Sequence, residues 1–540
     1  MFESLVLYRY QITMNIKLLL LLLALLSANF IISAQKKIPK QVRLEIEDYL
    51  LAENYDKAQL IIDQQIERIG NTPWLQLKKG ICLLNSDENT DEAIALLQQV
   101  VDTLSLDVKK NHDAIEARFY LGQALHLGGY FEKAKAEFET LQNHLTPKQA
   151  DMLLVVNREI DYCNNAIELA RHPVAFRVTN LGASVNTRYE EHSPVVSADE
   201  TTLIFTSNRP GAYSDSAFLQ EDIYVSEFRG NQWTDAQRIG TFENKKGANA
   251  SVSLTADGKT ILIYQFDGIS GDILISHQTV NGWTKPEKLP EPINTKYDEK
   301  HASFSFDEQT LYFSSNRPGG FGLSDIYFVR LLPDGKWGHV VNMGPAINTA
   351  GDEDSPYIHP DDHTLYFAST EHNSIGGFDI FKTERTDSVN WSVPQNVGYP
   401  INTPDDDLFF NPTVDGIRVY FASRRAGGFG KSDIYLMEFE ENDPRVLAVV
   451  AGYAFNQSQQ PTSEVNISVY DASTNDLVGV YRPNPITGKY VMILPSGKKF
   501  LIRYQGPTDE KESVIDVPLH SNFTSGNWAH YLEPVTIQVP

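Results

Sequence analysis

Between residues 40 and 170 apolar side chains recur at helical spacing, whereas from 174 onward they fall in short runs broken by turn residues. The first pattern predicts helices and the second predicts strands. Ala117, Phe119, Leu121, Ala124 and Leu125, then Ala134, Phe138 and Leu141, form two apolar stripes. Gly128-Gly129 between them breaks the chain into a helical hairpin. Ala52, Tyr55, Ala58 and Leu60 begin a weaker unit of the same kind, and Ala93 to Leu97 reads as another second helix.

The strand-rich stretch repeats itself. Leu203-Ile204-Phe205-Thr206-Ser207-Asn208-Arg209-Pro210-Gly211 answers to Leu311-Tyr312-Phe313-Ser314-Ser315-Asn316-Arg317-Pro318-Gly319, and the strand returns at Leu365–Ser369 and Val419–Ser423. Each copy is followed by an Asp-Ile pair, at Asp222, Asp272, Asp325, Asp379 and Asp433, at intervals of 50, 53, 54 and 54 residues. A near-constant period of strands predicts propeller blades, here five, spanning 174–442. Trp233, Trp283, Trp337 and Trp391 mark an outer strand that the fifth copy lacks. Ala175 stands eleven residues before Asn186, as Trp391 stands eleven before Asn402, so the segment from Ala175 to Leu181 is expected to supply that strand and close the ring. Residues 446–540 alternate apolar and polar positions, as in Val465, Ile467, Val469 and Tyr490, Met492, Leu494, which predicts a small antiparallel sandwich.

These patterns carry resemblances. Leu121, Gly122, Ala134 and Phe138 make 40–170 similar to tetratricopeptide (TPR) repeats, which leave a groove that holds a peptide or partner helix. The sandwich resembles the carboxypeptidase regulatory-like, transthyretin-type module through Gly452, Pro461, Thr487-Gly488-Lys489-Tyr490 and Leu494-Pro495-Ser496-Gly497. That module implies an accessory or interaction role. The expected fold is thus multidomain: TPR-like helices, a five-bladed β-propeller and a C-terminal β-sandwich.

Charge and the N-terminus narrow the function. A net charge of −24 disfavours nucleic acid and anionic membrane as partners. Lys17, the apolar run Leu18–Leu26 and Ser33-Ala34 read as a signal peptide over 1–34, which places the mature chain in the periplasm, associated with the outer membrane, with no span left after cleavage. Met14 offers a second start. Cys82 and Cys163 fall in helical sequence and read as buried free thiols, with pairing open.

Catalytic motifs are absent from the sequence: no Gly-x-Ser-x-Gly, His-Glu-x-x-His, P-loop or Cys-x-x-Cys occurs. Neither a cofactor nor a metal is expected, and the chain does not read as an enzyme. The repeated Asp222, Asp272, Asp325, Asp379 and Asp433 are spread around the ring, so a structural role is expected, with Arg209, Arg317 and Arg425 as ion-pair partners for three of them. Ala256-Asp257-Gly258-Lys259-Thr260 resembles the Asp-box turn of sialidases and equally suits a hairpin turn. An acidic rim is expected where the innermost strands begin: Glu190-Glu191, Asp298-Glu299, Asp352-Glu353-Asp354 and Asp405-Asp406-Asp407, with Lys245-Lys246 in the second copy. Such a rim would receive a cation or a basic peptide segment.

The order of signal peptide, TPR-like helices, WD40-like (PD40) propeller and regulatory-like sandwich is similar to that of PorE-type envelope proteins of the type IX secretion and gliding group. Those usually carry an OmpA-like domain and a lipid-anchoring cysteine, which this sequence does not offer. The resemblance implies a non-catalytic periplasmic scaffold binding envelope or outer-membrane proteins. The alternative is a TolB-like module that binds peptidoglycan or another glycan, and a propeller hydrolase is a third reading. Specificity is expected where the copies differ, such as 211–220 and the basic second blade.

Overall fold

The computed structural model describes residues 37–86, 89–106, 111–210, 221–242, 248–268, 270–387, 390–425, 427–440, 447–456, 458, 460–506, 510–517 and 535–539. The signal segment, the 211–220 insertion and Lys245-Lys246 lie outside them. Contacts divide the chain into two compact units, 1–160 and 161–540.

Among the described residues seven α-helices come first: α1 (Lys40–Leu51), α2 (Tyr55–Ile69), α3 (Pro73–Asn85), α4 (Thr90–Thr103), α5 (His112–Leu127), α6 (Phe131–His144) and α7 (Ala150–Leu169). Four of them begin at a side-chain cap: Asn54, Thr72, Asn89 and Asn111 each accept from the backbone N–H three residues on. Small residues set the approach of neighbours. A Cβ on Gly80 would meet the Leu97 side chain at 2.7 Å, and one on Gly122 would meet the Phe138 ring at 2.6 Å. Both cysteines are buried and not joined in a disulfide, and burial pushes the Cys82 thiol up to about 12.

The second unit is built mainly from antiparallel sheets. Five of them follow the sequence copies: the first starts with Glu191–Val196, Thr202–Ser207 and Asp222–Arg229, and the others repeat that order from Asn249, Glu299, Glu353 and Asn411. The fifth sheet takes its outer strand from the other end of the stretch. Phe176–Asn180 pairs antiparallel with Asp433–Phe439, in the register Phe176↔Phe439 to Asn180↔Tyr435. An apolar core fills each gap between successive sheets, as Val195, Ile204 and Ile223 do against Ile261, Ile263 and Leu274. The fifth gap joins last to first, with Tyr420, Ile434 and Leu436 against Leu203, Phe205 and Tyr224. Strands buried on both faces explain the unbroken apolar runs such as Leu311-Tyr312-Phe313, which alternation would not produce.

Two further sheets close the chain. One pairs Leu447–Asn456 with Lys489–Pro495 and, in parallel, with Val535–Val539; the other orders Leu477–Tyr481, Asn466–Asp471, Lys498–Gln505 and Glu510–Val517. Val450, Ile467, Val469, Tyr490, Met492, Phe500 and Ile502 form their shared core. Leu447 and Ile493 then pack on the five-sheet body, against Val414 and the turn residues Ala198, Ala256 and Phe306. Lys489 pairs with Asp199, which is 3% exposed, and Lys259 donates to the Arg482 carbonyl at 2.8 Å.

Candidate functional site

The repeated polar residues meet in the gaps between sheets. Asn186 donates to the carbonyl of Ile434 at 2.9 Å and accepts from its N–H at 2.8 Å, so the start of the first sheet clasps the third strand of the fifth. Asn294 on Ile273, Asn348 on Ile326 and Asn402 on Ile380 repeat this clasp. The threonine that follows each asparagine turns back on the acid that opens the next inner strand. Thr187 donates through N–H and hydroxyl to Glu191 at 2.8 and 2.7 Å; Thr295 treats Glu299 likewise, and Thr349 treats Glu353 likewise.

Glu191, Glu299 and Glu353 are fully buried and accept further from Ser207, Ser315 and Ser369. The arginines expected on the Asp-Ile pairs go here instead: Arg209 reaches Glu191 at 2.9 Å and Arg317 reaches Glu299 at 3.1 Å. Each also donates at 2.6 Å to a carbonyl of the same gap, Val185 or Ile293. In the fourth copy, which lacks the arginine, His372 Nε2 lies 2.9 Å from the equivalent carbonyl of Ile347. Asp407 is one methylene shorter than its counterparts. Its carboxylate takes both donors of Thr403, Arg425 turns to Ser423, and burial raises the Asp407 carboxyl well above the carboxylate range, with Asp379 adding to the rise.

The Asp-Ile aspartates tie third strands to outer strands. Asp222 holds Arg238 at 2.7 Å and Asp272 holds Lys288. Asp325, Asp379 and Asp433 accept instead from Asn342, Asn396 and Asn180 at 2.6–2.7 Å. Asp325 and Asp433 also take the N–H groups of Phe321-Gly322 and Phe429-Gly430. In the fourth copy Ser374 stands where the others have Gly320 and Gly428, whose absent Cβ would lie within 2.8 Å of the aspartate. Asp379 there keeps one backbone donor, Ile375, and burial pushes its carboxyl up to about 7.

What remains of the acidic rim is Glu190, Asp298, Asp352, Asp405 and Asp406. Glu190 accepts from Asn208, Asp298 from the Gly271 N–H and the Tyr264 hydroxyl, and Asp406 from the Phe378 N–H. Asp352 is half-buried, with its carboxyl raised by burial, while Asp405 and Asp406 are exposed. Lys300 lies among them, 4.0 Å from Asp298. Asp354 points elsewhere: it is buried, and its Oδ1 sits 2.6 Å from both His301 Nδ1 and the Ser314 hydroxyl. Burial works to raise this carboxyl, but the imidazole and the hydroxyl hold it down at about 2.

Two arrangements go beyond the sequence reading, which marked the second of them in one copy only, at Ala256–Thr260. His301 and Phe409, from the third and fifth copies, stack edge to face with centroids 4.9 Å apart. The second is a turn present in all five copies. Ser197, Thr255, Ser305 and Thr413 donate to Asp199, Asp257, Asp307 and Asp415, and His359 pairs with Asp361 in the same place. The residue after each aspartate has φ between 52° and 72°, and it is glycine in only two copies, Gly258 and Gly416. The hydroxyl-to-acid spacing of two was the available signal; the glycine that makes such turns conspicuous is missing from three of them.

No family model and no curated protein matches the chain. Solved structures similar to it include a TolB of Agrobacterium tumefaciens (14% identity, covering 59% of this chain and 99% of that one, TM-score 0.31). Others are a periplasmic gluconolactonase of Pseudomonas aeruginosa (10%, 61% and 86%, TM-score 0.27) and an α-L-arabinanase of Penicillium chrysogenum (12%, 59% and 98%, TM-score 0.30). Likeness at this level assigns no chemistry.

Proposed function

We propose that the chain is a non-catalytic scaffold of the cell envelope, a five-bladed propeller flanked by TPR-like helices and a C-terminal sandwich, that binds a basic segment of an envelope protein at the acidic rim. One observation carries the reading. The gap acids Glu191, Glu299 and Glu353 are enclosed and hydrogen-bonded between sheets, whereas in the rim Asp405 and Asp406 are exposed and Asp352 is half-buried. An open acidic face with a net charge of −24 behind it attracts basic segments by long-range steering and partial desolvation. Membership of a type IX secretion complex and a periplasmic address belong to the same proposal and rest on the sequence resemblance.

The test is co-purification from solubilised envelopes with the wild-type chain and with Asp352→Asn, Asp405→Asn and Asp406→Asn combined. The expected result is a defined partner that is released by salt and lost with the triple variant. Retention on isolated sacculi, unchanged in the variant, would replace this reading with peptidoglycan binding.

A further inference from the structure

In the third, fourth and fifth copies the loop before the third strand lies against the next sheet, at the end of the ring where the rim acids stand. The loop of the third copy, Gly319 to Ser324, is pinned along its length. The Asp325 carboxylate takes the N–H groups of Phe321 and Gly322, and the Leu323 N–H donates to the Gly351 carbonyl at 2.9 Å. Ser324 pairs with Asp352 as a parallel β-bridge. Gly322 passes so close to the next sheet that a Cβ there would meet the Gly351 oxygen at 2.1 Å. Held in this way beside Asp352, Phe321 is 51% exposed and Leu323 70%.

The fifth copy builds the same loop against the first sheet. Asp433 takes the N–H groups of Phe429 and Gly430, and Ser432 pairs with Glu190 as a parallel β-bridge. Phe429 is again 51% exposed. The fold does not demand this exposure. In the fourth copy the place of Phe321 belongs to Ile375, which is fully buried, and that of Leu323 to Gly377. The fourth loop meets the open acids instead: the Phe378 N–H donates to Asp406 at 2.9 Å, and Asp405 and Asp406 are both exposed. Three successive gaps around the ring therefore present apolar side chains, then carboxylates, then an aromatic ring.

Apolar side chains that a pinned loop already holds in place lose little further freedom when a partner covers them, so covering them goes into affinity. On the reading that the rim receives a basic segment, we propose that this segment is amphipathic: its basic residues face Asp405 and Asp406, and apolar residues on either side cover Phe321 with Leu323 and Phe429. The carboxylates in the middle select the charge of the partner. The flanking loops select what stands beside that charge, because exposed ion pairs alone contribute little.

Two fluorescent peptides of equal lysine content are titrated with the full chain and followed by anisotropy, one with serine and the other with leucine on both sides of the lysines. The leucine peptide is expected to bind at least about tenfold more tightly. Phe321→Ser, Leu323→Ser and Phe429→Ser combined should bring it down to the affinity of the serine peptide. Leu323→Lys, a residue that the fifth loop carries at the same position as Lys431, is the variant to use if the combined one folds poorly, and it should weaken the leucine peptide more than the serine peptide. Asp405→Asn with Asp406→Asn should weaken both. Equal binding of the two peptides, or a leucine preference that survives in the apolar variants, would overturn the amphipathic assignment and leave the basic-segment reading standing. Binding of neither peptide, or binding indifferent to the two asparagine substitutions, would remove that reading and this assignment together. Self-association of the chain that disappears in the apolar variants would give the exposed loops to a second copy and overturn the assignment as well.

Discussion

The gaps between the sheets and the axis they surround use the same residue types in opposite ways. In the gaps, Asn186, Thr187, Glu191, Ser207 and Arg209 form a closed set in which each polar group has a partner within the protein. The set recurs with little change in the third copy and with a histidine for the arginine in the fourth. On the axis the positions equivalent to Ser193 are Ser251, His301, Ser355 and Phe409, so serine fills three copies and an aromatic ring the other two. The comparison teaches that repetition here marks assembly. A group that recurs from copy to copy is one that joins neighbours, whereas the axis mixes serines with aromatic rings.

This contrast is most severely tested at the gap. Glu299→Ala would leave Arg317 enclosed without its acid and strand the Thr295 and Ser315 donors, costing about 3–5 kcal/mol in urea unfolding. A loss below about 1 kcal/mol would break the idea that the gaps hold the ring together. Asn186→Ala at the closing gap should cost about 2 kcal/mol, because both backbone groups of Ile434 lose their partner in a buried place. The same substitution at Asn402 should cost a similar amount if the closing gap is no weaker than the others.

The fourth sheet gives a pH signature. Asp379 has its carboxyl raised to about 7 by burial, so the folded chain binds a proton there that the unfolded chain, near 3.8, has released. Stability contributed at this aspartate is therefore greatest in acid, and falls as pH rises from about 4 to about 7. Asp379→Asn should remove that decline and stabilise the chain by about 1–2 kcal/mol above neutrality, read from denaturant midpoints across the range. Asp354 works in the other sense. Its depressed carboxyl contributes stability above the unfolded value of 3.8, and that contribution fades as pH falls toward about 2. The smallest effect belongs to the axis: Phe409→Ala should cost about 1 kcal/mol, for a ring contact with one partner across the channel. A much larger loss would make this contact a structural keystone and blur the contrast between gap and axis.

The periodic Asp-Ile pairs, the repeated Leu-Tyr-Phe runs and the missing outer strand were legible because a repeat forces equivalent residues into equivalent places. The offset of eleven residues was enough to locate Phe176–Asn180 as a strand of the last sheet. Glu191, Glu299 and Glu353 were legible as recurring acids, but their burial was not. Sequence spacing set Arg209 near both Asp222 and Glu191, and only the folded chain decided between them. Arg238, sixteen residues beyond Asp222, reaches that aspartate first, across two antiparallel strands.

Sequence by itself determined the local elements, the period and the number of copies, because hydrophobic pattern and turn chemistry act over a few residues. Tertiary structure alone decided which carboxylates are spent and which are open, and that His301 meets Phe409 across more than a hundred residues of chain. It also gave Glu200 the partner Arg418, while Glu308 at the same turn position stays partly exposed. The physical reason is common to all three. A charged group's role depends on what else is taken out of water beside it, and those neighbours come from sheets that sequence order does not place side by side.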